Sequence, residues 1–413
     1  MVFFTAMTRL VIIGVALALC ATAAALGEEA ATSAIGQRGL TYELGPKLPE
    51  PEKDARADPR FAAAARYATA RQLSAVAASL LIIAALAALY FSGAGERLVR
   101  WGRGRPVVAT LAVSGAVGAA VAVPLLLASM ARAAFLSGAV GDLNVAVVII
   151  KPLCYGVVAG ALCFAVGVTQ PLWPRTWWMT ATFACVAAAV CWAYVRPLPP
   201  AEEASSPAGS FLPERAQYLS AQYQTPVYKI AVDRRPPADE LVAAAVPPGR
   251  RAIVLSAGAE SLGRFEAEVF LAGAVARAEA RRNSLLGPAA LVFLMASLIG
   301  ADAVARALTR RRGDAAEAAG LLPFAAVLVA LWSAALVGHN GWSRHLWLAA
   351  DDEAVRLTRK PIAAVTLYYE EARANLDAAE PNPVLHFLAD AKPSPGERAA
   401  VARRLRRELA AGQ

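Results

Sequence analysis

The sequence predicts a mainly α-helical protein, a multi-pass transmembrane helical assembly with a small α+β domain built from two separated segments. Three observations predict it. Of 413 residues, 57% are hydrophobic and 18% charged, with mean hydropathy +0.45, which is too apolar and charge-poor for a soluble chain of this length. Apolar runs recur at 72–92, 107–130, 146–168, 176–195, 285–305 and 321–338, each near the roughly 20 residues that a bilayer core requires. Polar stretches of mixed strand-like and helix-like character follow the fourth and the last of these runs.

Taken in order, residues 1–27 place one positive charge, Arg9, before the run "LVIIGVALALCATAAAL". This segment is either a cleaved signal peptide or a first transmembrane helix, so the count is six or seven spans. Residues 28–70 read as an exposed linker or short helix, and 71–195 as transmembrane helices. Lipid offers the backbone no hydrogen-bond partner, so these spans must be helical. Their Ala, Gly and Ser content lets helix backbones approach closely. Trp173, Trp177 and Trp178 read as an interfacial belt, and Lys151 with Pro152 as a snorkelling helix end rather than a transport site. The basic loops 93–106 and 306–320 place those loops in the cytoplasm and 28–70, 196–284 and 339–413 on the opposite face.

Residues 196–284 form the largest insertion. "PVYKIAVD" alternates as a strand does, "RRAIVLS" reads as a second strand, and "EVFLAGAVARAEARRN" reads as an amphipathic helix. Residues 285–338 supply two more transmembrane helices. In 339–413, "HLWLAADDEAVRLT", "PIAAVTLYYEEARANL" and "ERAAVARRLRRELAA" are helical. The two soluble pieces are expected to share one core, because neither buries a sizeable one alone.

Several chemistries are excluded. The five cysteines, Cys20, Cys154, Cys163, Cys185 and Cys191, sit in apolar runs with no C-x-x-C spacing, so neither a disulfide frame nor a zinc knuckle is indicated. The net charge of +9 falls largely in loops beside spans without interleaved aromatics, which argues for membrane lipid and against a nucleic-acid partner. No phosphate-binding loop, nucleophile elbow or dinucleotide fingerprint is present.

From about residue 60 onward the order of motifs resembles the type I CAAX prenyl endopeptidase family of integral-membrane zinc metallopeptidases. "YKIAVD" followed by "RRAIVLS" resembles that family's strand pair. "FEAEVFLAGAVAR" resembles its E-x-x-x-V-L-A-H-E-x-x-H helix, and "SRHLWLAADDEAVRL" its R-x-E-F-x-A-D-x-x-A helix. "ANLDAAEPNPVLHF" resembles E-N-L-x-x-x-x-P-x-P, "KPSPGER" resembles H-P-x-x-x-E-R, and "MARAAFLSGAVGDL" its F-G-L-S loop. The resemblance implies that 196–284 and 339–413 are the two halves of a metallopeptidase-like α+β domain.

It also implies where chemistry would sit. Such a site needs two histidines four apart on one helical face, a glutamate between them as general base, and a third ligand from a later helix. Carried over, the first histidine falls on Gly273, the glutamate on Ala274, the second histidine on Arg277 and the third ligand on Trp347. Gly273 and Ala274 have no donor atom, Trp347 offers only an N–H, and Arg277 is a permanent cation. The resemblance therefore implies no catalytic residue, no metal ligand and no cofactor, with zinc required only under the alternative below.

A possible pseudo-site comprises Arg277, His345 and Asp351. An Arg277–Asp351 ion pair and a location of each on its own solvated face are both compatible with the sequence. His345 also reads as a membrane-surface histidine beside Trp342 and Trp347, and Glu266, Glu268 and Glu279 read as a solvated face.

The function implied is a membrane-embedded pseudo-metallopeptidase that binds or regulates an extended peptide or a membrane protein. One alternative is an active integral-membrane metalloendopeptidase with atypical ligands. Another is a multi-pass transporter or channel. The expected location is a bacterial inner or plasma membrane, with the soluble segments extracytoplasmic.

Overall fold

The computed structural model describes residues 59–102, 105–136, 145–172, 252–282, 286–310, 320–375 and 377–411, with shorter pieces between 176 and 245. The N-terminal run and the "SGAVGDL" part of the early loop lie outside the described residues, as does most of the run at 176–195. The chain divides into two compact units. The described residues include five helices long and apolar enough to cross a membrane: Ala64–Phe91, Pro106–Ala133, Val148–Leu172, Ala290–Arg310 and Leu321–Thr358. The protein is an integral membrane protein.

The first unit contains residues 70–186 and 288–338. Its helices are most of α1 (Pro59–Phe91), α2 (Ala94–Trp101), α3 (Pro106–Leu136), α4 (Val145–Leu172), α6 (Leu286–Arg310) and the first half of α7 (Leu321–Thr358). Helix α1 begins at Pro59, well before the apolar run. Proline suits a helix's first turn, and the Ala-rich "FAAAARYATARQ" that follows has high intrinsic helix propensity. Helix formation therefore extends into the stretch expected as an exposed linker or short helix.

Leu86, Val113, Val117, Leu298, Ala301 and Leu322 form the buried interior of this unit. Leu111, Val157 and Val292 are open on the outside, as lipid-facing side chains must be. Trp177 departs from the expected interfacial belt. It is 1% exposed and meets Phe324 edge to face, with ring centroids 5.8 Å apart, so its large apolar surface fills the interior instead.

Helices α3 and α4 meet along a seam of small residues, Ser114, Gly118 and Ala122 against Gly156 and Gly160. A Cβ on Gly156 would lie 2.6 Å from the Ala122 Cβ and 2.7 Å from the Gly118 carbonyl oxygen. Only glycine permits this separation, the close approach anticipated from composition. In α6, Asp302 is buried; it accepts a hydrogen bond from Gln170 Nε2 at 2.6 Å and pairs with Arg306. A carboxylate in a span is tolerated when partnered in this way.

The second unit contains residues 45–69, 187–287 and 339–413. Among its described residues are β1 (Glu202–Glu203), β2 (Lys229–Asp233), β3 (Ala243–Ala245) and β4 (Ala252–Ser256), in the order β1-β2-β4-β3. The two expected strands, β2 and β4, pair in parallel with Ala231 opposite Val254; β1 and β3 are antiparallel edges. Ile253 and Leu255 alternate into the core, as the two-residue period of a strand requires.

Helices α5 (Arg264–Arg282), α8 (Pro361–Ala374), α9 (Pro383–Ala389) and α10 (Pro395–Ala411) complete this unit with the second half of α7. Leu271, Val275, Val355, Leu367 and Leu405 are fully or almost fully buried in one cluster. Two readings are corrected here. Helix α5 is not half solvated: every residue from Ala267 to Arg277 is buried. Nor do the last span and "HLWLAADDEAVRLT" form separate helices. Helix α7 runs unbroken from Leu321 to Thr358 through Gly338 and Gly341, because glycine costs a helix about 1 kcal/mol but, unlike proline, removes no hydrogen bond.

Candidate functional site

Two helices supply the residues expected to converge. Gly273 and Arg277 are one turn apart on α5, and Trp347 and Asp351 are one turn apart on α7, so each pair shares a helical face. The Arg277 guanidinium carbon lies 4.2 Å from the centre of the Trp347 ring, and Arg277 Nη1 is 3.8 Å from Asp351 Oδ1. Arg277 and Asp351 are 9% and 1% exposed, which rules out separate solvated faces.

The local reason is directional. Helical side chains lean toward the N-terminus, so Arg277 folds back over position 273. A Cβ placed on Gly273 would lie 3.1 Å from Arg277 Nη1. The missing side chain at 273 leaves the guanidinium its room.

Asp351 is bound more tightly by the last residue of the "KPSPGER" motif, to which the sequence reading gave no role. Arg398 of α10 donates from Nε to Asp351 Oδ2 at 2.6 Å and from Nη2 to Asp351 Oδ1 at 3.0 Å. Its Nη1 reaches Glu371 Oε2 of α8 at 2.6 Å. Its guanidinium carbon sits 4.0 Å from the Tyr368 ring centre and 5.3 Å from that of Trp347. Lys392 Nζ pairs with Glu371 Oε1 and Asp377 Oδ2, each at 3.0 Å, and lies 5.7 Å from the Trp347 ring centre. Trp347 thus stands among three cations, each of which also pairs with a carboxylate.

A signal for Arg398 and Glu371 was present but is weak. On α10 the buried positions are 395, 398, 399, 402 and 405, and on α8 they include 364, 367, 368, 371 and 372. In each case one charged residue occupies a stripe otherwise made mostly of apolar side chains, which marks a buried ion pair when both stripes face one core.

The electrostatics follow from burial and partners. Burial pulls Arg277 below the usual arginine range; Asp351 opposes this, while Arg398 adds repulsion. Burial would raise the Glu371 carboxyl, but Arg398, Lys392 and Arg277 together hold it down to about 2. Burial would lower Arg398, but Asp351 and Glu371 keep it well above the ordinary value. Burial raises the Tyr368 hydroxyl well above its ordinary range, with Asp351 adding to the effect.

His345 does not join this cluster. It is exposed, with its ring 6.5 Å from that of Trp342. His386 is placed elsewhere: its Nδ1 lies 2.9 Å from Asp390 Oδ2 and its Nε2 3.1 Å from Glu397 Oε2. Arg344 and Asn340 of α7 donate to main-chain oxygens in and after α9, including those of His386 and Leu388. Burial would lower the imidazole, but its two carboxylate partners raise it to about 9. Glu268 also departs from expectation. It is buried and held by both Arg215 and Lys360, so it ties segments of the unit together and does not face solvent.

These residues do not fit zinc. A tetrahedral zinc site takes nitrogen, sulfur or carboxylate ligands, and Gly273, Ala274 and Trp347 supply none. The carboxylates of Asp351 and Glu371 are engaged by Arg398 and Lys392, and Arg277 adds a further positive charge beside Asp351. Among the described residues, no three His, Cys, Asp or Glu side chains are grouped closely enough to hold a metal ion.

No family model matches the chain, and no curated protein matches it. Among solved structures, the crystal structure of Ste24p from S. mikatae is similar, with a TM-score of 0.64 at 14% identity, covering 87% of this chain and 92% of that one. At this identity the likeness concerns the fold.

Proposed function

We propose that this chain is a non-catalytic relative of the CAAX-type membrane metalloproteases, which holds an extended peptide or a segment of a membrane protein without cutting it. One observation carries the reading: Arg277, at the position of the second histidine, lies 4.2 Å from the ring centre of Trp347, at the position of the third ligand. A cation and an indole thus meet where the family's pattern would hold zinc. Without a metal there is no activated water, and Ala274 supplies no general base.

Binding is supported by what the unit retains. Among the described residues the sheet order leaves β1 and β3 as edges, and an edge strand can pair with an extended peptide through main-chain hydrogen bonds. This extends the fold-level likeness to Ste24p to a function by analogy.

Zinc content and peptidase activity test the proposal together. The full chain, purified in detergent with zinc supplied, is expected to hold far less than stoichiometric zinc and to cleave no prenylated or unprenylated reporter peptide. Restoring the pattern with Gly273→His, Ala274→Glu, Arg277→His and Trp347→Glu is expected to raise zinc content. Near-stoichiometric zinc in the unaltered protein, lost on His345→Ala or His386→Ala, would overturn the reading in favour of an active enzyme with atypical ligands.

A further inference from the structure

We infer that Arg277, in one cluster with Tyr368, forms an anion site that takes a carboxylate. Arg277 is about nine-tenths buried, yet no hydrogen bond from its guanidinium to a described residue is found; its contacts are the 3.8 Å approach to Asp351 and the Trp347 ring. The oxygen it approaches, Asp351 Oδ1, already accepts Arg398 Nη2 at 3.0 Å. Arg277 is therefore a poorly satisfied cation in a low-dielectric setting, and repulsion from Arg398 adds to the cost of keeping it charged.

A second orphan lies in the same cluster. The Tyr368 hydroxyl is buried with no hydrogen-bond partner, although Tyr368 is only 1% exposed. Its hydroxyl feels the charges of Asp351, Arg398, Arg277 and Glu371. Buried polar groups are nearly always partnered, so the Tyr368 hydroxyl is a donor lacking an acceptor, in the same cluster as a cation that makes no hydrogen bond to a described residue. Within the cluster Arg277 is more accessible than its neighbours: its side chain is 10% exposed and Trp347 is half-buried, whereas the side chains of Arg398 and Asp351 are 3% and 1% exposed.

A carboxylate suits this arrangement. The guanidinium lies over an indole, so the N–H groups along its edge remain free to donate, and a planar two-oxygen anion matches that edge. Asp351 and Glu371 oppose an incoming anion only weakly, because Arg398 and Lys392 already neutralise them. The site rests on the peptide-binding proposal only for the source of its carboxylate, whether a peptide terminus, an acidic side chain or a free small acid.

The test uses the full chain in detergent, with acetate as the probe. Thermal unfolding is followed by tryptophan fluorescence in sodium acetate and in sodium chloride at equal pH and ionic strength. The acetate midpoint is expected to exceed the chloride midpoint by a few degrees. That increment should vanish in Arg277→Met and shrink in Tyr368→Phe, which removes one oxygen and keeps the fold if Arg277→Met does not. An extended fluorescent peptide with a free C-terminal carboxylate is expected to bind about tenfold more tightly than its amide, the effect of one hydrogen-bonded charge. Equal midpoints in the two salts, or an increment that persists in Arg277→Met, would overturn the anion site. An acetate effect without binding of either peptide would leave the anion site standing and remove the peptide-binding proposal. Peptide binding without an acetate effect would do the reverse.

Discussion

Replacing Arg398 with leucine tests the arrangement at its centre. Arg398 is 2% exposed and makes three hydrogen bonds of 2.6, 3.0 and 2.6 Å to Asp351 and Glu371, joining α10 to α7 and α8. Its removal leaves two buried carboxylates, one with Arg277 at 3.8 Å and one with Lys392 at 3.0 Å. Taking one partner out of a buried pair costs about 3–5 kcal/mol, a large share of the roughly 5–15 kcal/mol that holds a typical domain together. Hydrogen exchange of α8 and α10 amides in detergent is expected to accelerate about 10²- to 10⁴-fold, as that energy implies. Arg398→Lys keeps the charge but not the two-pronged geometry, and should fall between. Arg404→Leu is the control: that side chain is 54% exposed and pairs with Asp352, so the expected change is within about 0.5 kcal/mol. If Arg398→Leu and Arg404→Leu accelerate exchange equally, Arg398 does not hold these helices together.

Two further outcomes are expected elsewhere. Gly156→Leu should separate α3 from α4, because its first side-chain carbon alone would stand 2.6 Å from the Ala122 Cβ. A fall of about 1–3 kcal/mol or more in stability is measurable by unfolding in detergent, whereas Gly115→Ala, with nothing within 4 Å of the new carbon, should do no harm. The His386–Glu397 pair should make stability depend on pH on both sides. His386 is raised from 6.5 to about 9, so its contribution is complete below pH 6.5 and is lost as pH rises through 9. Glu397 is lowered from 4.5 to about 2, chiefly by its bond to His386, so its contribution is complete above pH 4.5 and is lost as pH falls through 2. The Glu397 side chain is 46% exposed, so solvent screening reduces the effect to about 1–2 kcal/mol. His386→Gln should flatten the alkaline fall in a pH series of unfolding midpoints.

The spans were legible because each is a local property. A run such as 107–130 contains enough apolar residues to cross a bilayer whatever it packs against, and the structure places α3 there. Trp177 was not legible in the same way. A tryptophan at a span's end suits an interface and an interior equally, and only the position of Phe324 decides between them. Glu268 was misread because a carboxylate on an amphipathic pattern ordinarily faces water. Arg215 and Lys360, far away in the chain, make its burial tolerable. The pairing of Arg277 with Asp351 was open in the sequence, since charges on two helices reveal neither their distance nor their burial.

The sequence by itself determined a many-span helical membrane protein. This follows from composition and periodicity, which require no knowledge of neighbours. Only the tertiary structure decided that Gly273 makes room for Arg277, that Trp347 lies beneath it, and that Arg398 binds the carboxylates. Each depends on distances of a few ångströms between residues tens of positions apart or on a side chain's direction, and electrostatic energy in a buried setting changes steeply over such distances.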